Sequence, residues 1–244
     1  MSISKRQNEI LQLVKENVYI SVNELASLTF TSASSIRRDL TALQRLGLVK
    51  RSYGGVGLPQ TTDRVAGFYS RASQNIKEKR IIAQKAASLL KDGQSILLDS
   101  STTASFMIPY IAKLQSPIVF TNNLDTAIKA IKAGINTHCL GGASINGSVA
   151  LAGAQTFEAL LDINVDIVFF SSQSLNRDGV ISDSTEEENF IRQIMLKCAK
   201  TTVFLCDSEK FGRTSLYKLT DLDDIDFAVL GDVFEELTTN ATVL

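Results

Sequence analysis

The spacing of apolar positions changes along this chain, and the changes mark its elements. Over residues 32–46 (SASSIRRDLTALQRL), Ile36, Leu40, Leu43 and Leu46 recur at intervals of four, three and three, one face of a helix. Thr31 or Ser32 can accept a free N–H of its first turn, and Gly47 follows as a stop. Residues 5–17 read as an earlier helix with Ile10, Leu13 and Val14 inward, broken by residues 17–21. Residues 22–28 read as a short second helix capped by Ser21, with Glu24 three positions on in a capping-box pattern. Only Thr29, Phe30 and Thr31 separate it from the helix over 32–46. After Gly47, residues 48–51 read as a short strand and 52–56 as a tight turn and return.

Residues 58–74 show neither helical nor alternating spacing and mix Pro, Gly, Thr and Ser, which predicts a linker with Phe68 and Tyr69 docking onto a domain. Residues 76–90 are again helical, with Ile81, Ile82, Ala86, Leu89 and Leu90 inward. Strand-like apolar runs follow at 95–98, 118–120, 137–140, 167–170, 203–206 and 227–230. Helical stretches lie near 102–114, 123–133, 155–161 and 185–199, the first bent or divided by Pro109. Strand alternating with helix predicts a parallel sheet covered on both faces, an α/β fold. The predicted layout is a helical head over 1–57, a linker over 58–75 and an α/β body over 76–244.

Composition adds the class of protein. With 44% hydrophobic and 21% charged residues, a globular domain with a substantial core is expected. No apolar run approaches the ~18 residues of a membrane helix, and the first residues lack a signal-peptide core, so no membrane partner and a cytoplasmic location are expected. Cys139, Cys198 and Cys206 show no C-x-x-C spacing and read as reduced, buried thiols. His138 is the only histidine, which excludes a His-based metal cluster. Neither G-x-x-x-x-G-K-[ST] nor G-x-G-x-x-G occurs, so no metal, no cofactor and no catalytic residue is assigned.

Charge is divided unevenly. Residues 1–58 hold eight Lys/Arg against four Asp/Glu, out of totals of 25 and 26, so a basic head precedes an acidic body. That asymmetry points to a polyanion at the head alone. Off the apolar stripe of the 32–46 helix lie Ser32, Ser34, Ser35, Arg37, Arg38 and Arg45. Guanidiniums and small hydroxyls at a helix start suit a DNA major groove, where Arg bonds guanine or phosphate. Lys50, Arg51 and Tyr53 on the turn-and-return would contact the backbone beside it, as a wing does. A short helix, a three-residue turn and an Arg-bearing helix form the helix-turn-helix order, with double-stranded DNA as the partner.

The body carries a second pattern. Each strand ends in small polar residues: Asp99, Ser100, Ser101, Thr102 and Thr103; Thr121, Asn122 and Asn123; Gly141 and Gly142; Ser171, Ser172 and Gln173; Asp207, Ser208 and Lys210. In a parallel sheet these ends share one edge, where ligands bind. Hydroxyls, backbone N–H groups and one lysine suit a small hydroxylated anion such as a sugar phosphate. Asp99, Asp207, Lys210 and Glu186 to Glu188 could alternatively run the enediol chemistry of a sugar-phosphate isomerase with an appended head. A third possibility is an architectural protein whose body only oligomerises and binds no sugar.

These motifs resemble the DeoR family of bacterial transcriptional regulators. The head carries NELASLTFTSASSIRRDLTALQRLGLVKRSYGGV; the body carries KEKRIIAQKAASLLKDGQSILLDSSTT, VFTNN, LGG and CDSEKFGR. The resemblance implies a winged helix-turn-helix joined to a larger parallel-sheet α/β sensor domain of the sugar-phosphate isomerase and CoA-transferase type. It implies repression of a sugar or nucleoside catabolic operon, relieved by a phosphorylated intermediate, in a homo-oligomer (dimer or tetramer). Carried over, the effector loops are Asp99 to Thr103, Thr121, Asn122, Gly141, Gly142 and Lys210. The chain departs from the family where Ser101 replaces Gly in D-S-G-T-T and where Ser171 and Ser174 stand near usual glycines. It departs again where Tyr53-Gly54-Gly55-Val56 replaces a His-Gly-Gly-Ala wing. A side chain at a usual Gly narrows the space for a phosphate, which predicts a different effector or an altered response.

Overall fold

The computed structural model describes residues 4–244 apart from 18, 47, 53, 59–62, 146–147, 233, 235–236 and 238, and describes only the backbone at 52 and 63–66. Gly47 and Tyr53, expected as helix stop and wing contact, therefore lie outside the described residues. The chain divides near residue 74 into two compact units.

The first unit opens with α1 (Lys5–Glu16), where Ser4 and Gln7 form a reciprocal capping box. A two-residue strand, β1 (Ile20–Ser21), leads into α2 (Val22–Leu28), whose first turn is capped by the Ser21 hydroxyl. Helix α3 (Ala33–Arg45) follows, capped by Ser32 as the sequence predicts, and then β2 (Lys50–Ser52) and β3 (Gly55–Gly57). Strand β3 lies between β1 and β2, antiparallel to both, which makes the turn-and-return a wing closed by β1. Ile10, Leu11, Val14, Leu25, Ile36, Leu40, Leu43, Val49 and Val56 form one core.

Three expectations need correcting here. Leu11 is buried and Leu13 only half-buried, because α1 packs on both α3 and β3 and so buries a broader arc than a single stripe. Leu46 is 45% exposed, since the helix has ended and the residue falls beyond the packed face. The 58–75 stretch is not an unpatterned linker. It holds α4 (Asp63–Ala72), grouped with the first unit, with the Tyr69 ring stacked on Tyr19 at 5.7 Å and Phe68 edge-on to Tyr69. Phe68, Tyr69 and Ala72 do have helical spacing, but Gly67 in the middle obscures it.

The second unit begins with α5 (Ile76–Ala86) and a 3-10 turn at Ala87–Leu89. Its inward residues are Ile82, Ala83 and Ala86; Ile81, expected inside, sits off that face and is 47% exposed. The chain continues through β4 (Ser95–Leu98), α6 (Thr102–Ser105), α7 (Ile108–Ile111), β5 (Ile118–Thr121), α8 (Leu124–Lys132) and β6 (Asn136–Cys139). Pro109 opens α7, so the predicted division of the 102–114 helix occurs. Next come β7 (Ala143–Ser144), β8 (Leu151–Ala152), α9 (Ala154–Leu161), β9 (Val165–Phe170), β10 (Ser174–Leu175), β11 (Val180–Asp183) and α10 (Glu186–Lys197). The chain ends with β12 (Ala199–Cys206), β13 (Tyr217–Asp221), β14 (Phe227–Leu230) and β15 (Thr242–Val243).

A parallel sheet in the order β15-β14-β12-β9-β4-β5-β6 organises this unit. Alternate residues face opposite layers, as the two-residue period of a strand requires. Ile96, Leu98, Val119, Ile167, Phe169, Val203 and Leu205 pack with Ile82, Ala104, Met107 and Ile111. Leu97 and Val168 face the other way, onto Leu160, Ile191, Ile194 and Met195. A small antiparallel sheet, β10-β11-β13, covers Phe170, Phe204 and Cys206. Its two- to five-residue polar strands carry too little alternation to be read from sequence. Cys198 and Cys206 are buried as expected, but Cys139 is exposed, because β6 is the edge of the parallel sheet.

Candidate functional site

The candidate DNA-binding face forms where α3 leaves the head core. Ile36, Leu40 and Leu43 are fully buried, so Ser32, Ser34, Arg37, Arg38 and Arg45 are left exposed on the opposite arc. Ser35 is half-buried; its hydroxyl accepts from Arg38 Nη2 at 3.3 Å and from the Ser32 hydroxyl at 3.0 Å. Asp39 of the IRRDL motif faces inward instead, gripped by Arg6 at 2.6 Å and by Gln7, which fixes α1 against α3. Arg51 is turned back, its guanidinium donating to the Thr41 hydroxyl of α3 at 2.8 Å, so it braces the wing on the helix. Lys50 on β2 is exposed. The exposed cations of α3 and β2 are thus Arg37, Arg38, Arg45 and Lys50, with the Ser32 and Ser34 hydroxyls at the start of α3.

In the body, the carboxyl ends of β4, β5, β9 and β12 converge on one edge, and their loops interlock. Asp99 is fully buried: one oxygen accepts the Ser101 N–H at 3.0 Å, the other accepts the Ser171 N–H at 3.3 Å and Arg192 Nε at 2.7 Å. Arg192, on α10, also bonds Asp183 at 2.6 Å and lies 3.6 Å from Glu188. Burial alone would lower the Arg192 pKa; the carboxylates of Asp183, Asp99 and Glu188 reverse that and raise it. The guanidinium is therefore held in its charged form, bonded to Asp99 and Asp183. Arg192 escaped the sequence reading, although a cation between Ile191, Ile194 and Met195 on a buried helix face was a visible signal.

Lys210 enters from the loop after β12. Its ammonium donates to the Ser171 hydroxyl at 2.7 Å and to Thr103 at 3.2 Å, and pairs with Asp207 at 3.1 Å. On the β5 side, Asn123 reaches the Ser100 carbonyl at 3.0 Å and caps α8, while its own N–H bonds the Thr121 hydroxyl. Asn122 donates to the Leu151 carbonyl at 2.8 Å; its buried Oδ1 has no hydrogen-bond partner among the described residues. Gly142 has φ +105°, and a Cβ there would meet the Thr156 hydroxyl and the Ala152 carbonyl. The Gly141 carbonyl accepts from that same Thr156 hydroxyl. Asp99, Ser101, Ser171, Thr103, Asp207 and Lys210 thus form one connected cluster, tied to β5 through Ser100. Gly141 and Gly142 join Thr156, outside the Lys210 contacts. Cys206, under the cluster, is a thiol pushed up to about 12 by burial and is inert as a nucleophile at neutral pH.

The three serine departures each have a structural role. Ser101 has φ −75°, so its backbone does not demand glycine, and its hydroxyl caps α6. Ser171 donates its hydroxyl to the Leu205 carbonyl at 2.5 Å while accepting from Lys210. Ser174 is buried and shares a 2.7 Å hydrogen bond with Ser215.

Comparison with known proteins agrees with this two-part geometry. Residues 6–62 match the DeoR-like helix-turn-helix domain, and residues 74–232 match the DeoR C terminal sensor domain. The chain is 31% identical to the HTH-type transcriptional regulator GolR of Listeria innocua, over 92% of this chain and 89% of that one. It is 31% identical to the L-fucose operon activator of Haemophilus influenzae, over 90% and 88% of the two chains. It is also 26% identical to the glycerol-3-phosphate regulon repressor of the same species, over 96% and 92%. An Arg-bearing recognition helix with its wing and a matching sensor body across nearly the whole chain make this protein a DNA-binding transcriptional regulator of the DeoR family.

Proposed function

We propose that the protein represses a sugar or nucleoside catabolic operon and leaves its operator when a phosphorylated sugar intermediate binds at the strand-end cluster. The observation that carries this reading is the junction of Lys210 with the Thr103 and Ser171 hydroxyls; the unpartnered acceptor of Asn122 lies on the loop after β5, at the same sheet edge. An ammonium and hydroxyls suit a phosphate, and an unpartnered buried carbonyl oxygen suits a sugar hydroxyl. The name of the glycerol-3-phosphate regulon repressor supports a phosphorylated effector and a repressing sign. Ser32, Ser34, Ser35, Arg37 and Arg38 would read the groove, with Arg45 and Lys50 on phosphates. One head covers a single half-site, so the regulator acts as a homo-oligomer on half-sites one or more helical turns (~34 Å) apart.

The test combines melting and DNA binding. Sugar phosphates are assayed by thermal shift beside their unphosphorylated parents, and a ligand at about 100 times its Kd stabilises by about 2.7 kcal/mol. One phosphosugar should raise the melting temperature and release duplex DNA selected from a random pool, while its parent sugar does neither. A shift with no change in DNA affinity would remove the effector role. Arg37→Ala and Arg38→Ala should each weaken binding to the selected duplex by roughly 1–3 kcal/mol. Unchanged affinity in both variants would overturn the recognition-helix assignment.

A further inference from the structure

The charge balance of the strand-end cluster is unfavourable for the ligand just proposed. The carboxylates of Asp99, Asp183, Glu188 and Asp207 pair with two cations among the described residues, Arg192 and Lys210. Arg192 is buried and spent on Asp99 and Asp183, and Lys210 is paired with Asp207. A phosphate carrying one to two negative charges is therefore best met by a further cation outside these pairs.

The loop between Lys210 and β13 carries such a cation. At its start, Lys210 is tied to Thr103 and Ser171. At its end, the Ser215 N–H donates to the Ser182 hydroxyl at 2.9 Å, and its hydroxyl meets Ser174 at 2.7 Å. Ser182 adjoins Asp183 of the Arg192 network, so both ends of the loop are pinned to the walls of the cluster. Phe211 adds a third anchor, bridging to Leu175 and stacking on Phe234 at 4.2 Å. Gly212 then turns the chain at φ +72°, and Arg213 follows, exposed and with no hydrogen bond or ion pair among the described residues. Its long side chain springs from a short span fixed on two sides of the site.

We infer that Arg213 is the phosphate clamp of the effector site: a free guanidinium, carried on the anchored Lys210–Ser215 loop, that binds the phosphoryl group of a sugar phosphate together with Lys210. This rests on the sensor reading above and deepens it. A planar guanidinium gives two parallel hydrogen bonds to a phosphate, and its availability in the free protein spares the breaking of an existing pair. It also distinguishes a phosphorylated sugar from its parent, because the parent has no group to engage it.

The test uses the full-length protein, with Kd values from thermal-shift titration of pentose and hexose phosphates and of their unphosphorylated parents. Arg213→Gln should melt at the wild-type temperature without ligand, since Arg213 holds nothing in place. Its affinity for the active sugar phosphate should fall about tenfold or more, and Arg213→Lys should recover part of the loss. If the wild type binds a sugar phosphate and Arg213→Gln binds it equally well, the clamp is overturned while the sensor reading stands. If no sugar phosphate shifts the wild type, the sensor reading fails and the clamp fails with it.

Discussion

At the scale of single residues, the most consequential side chain of the body is Arg192. It joins Asp99, on the loop after β4, to Asp183 at the end of β11, all three being at most 5% exposed. Such a triad is costly to assemble and costlier to leave incomplete, because removing the cation strands two buried carboxylates. Arg192→Met should lower the unfolding free energy by about 3–5 kcal/mol in urea titration. A loss under 1 kcal/mol would show that Asp99 and Asp183 relax to water. Asp99, expected as an effector contact, has both oxygens hydrogen-bonded inside the protein and ties the Ser101 and Ser171 loops together. Neither distant partner of Asp99 could be read beforehand: Ser171 and Arg192 lie 72 and 93 residues away, and a chain position says nothing about which distant loop it meets.

Between elements, β4 and β9 are stapled at their amino ends. Asp166 accepts the Ser95 N–H at 2.9 Å, the Ser95 hydroxyl at 2.7 Å and Lys200 at 2.8 Å. The bond from Lys200, followed by the two from Ser95, holds the Asp166 carboxyl well below the usual carboxylate range. A group depressed in this way contributes stability that is complete above its unfolded value, near 3.8, and lost as the pH falls through the folded one. Its side chain is 35% exposed and Lys200 72%, so solvent screening limits the contribution to about 1 kcal/mol. Asp166→Asn should therefore melt lower than wild type at pH 7, with the gap closing below about pH 4. A gap that persists into strong acid would locate the effect in packing rather than charge. The elements joined here were legible as strands, since Ser95–Leu98 keeps the predicted bounds. The antiparallel β10-β11-β13 sheet was not, because strands of two to five residues are stabilised by their partners rather than by their own pattern.

For the whole molecule, the uneven charge has a measurable consequence. Most of the head's cations are exposed, and each phosphate contact they make contributes about −0.9 to the slope of log affinity against log salt. Operator affinity should fall steeply with salt, and Arg45→Ala should reduce the slope by about 1 per head bound. An unchanged slope would remove Arg45 from the phosphate-contacting set.

The sequence alone determined what depends on local period and spacing: the three head helices, the wing, the alternating strands and helices of the body, and the motifs that mark the family. Those features follow from side chains three to four positions apart on a helix, or two apart on a strand, whose packing each short segment largely dictates. Only the tertiary structure decided which residues meet. It turned Arg51 back onto Thr41, folded the 63–72 stretch into a helix stacked on Tyr19, exposed Cys139 on an edge strand and closed Lys210 onto Ser171 and Thr103. These contacts join loops up to 107 residues apart, and their geometry is set by how the sheet orders its strands, which no local pattern contains.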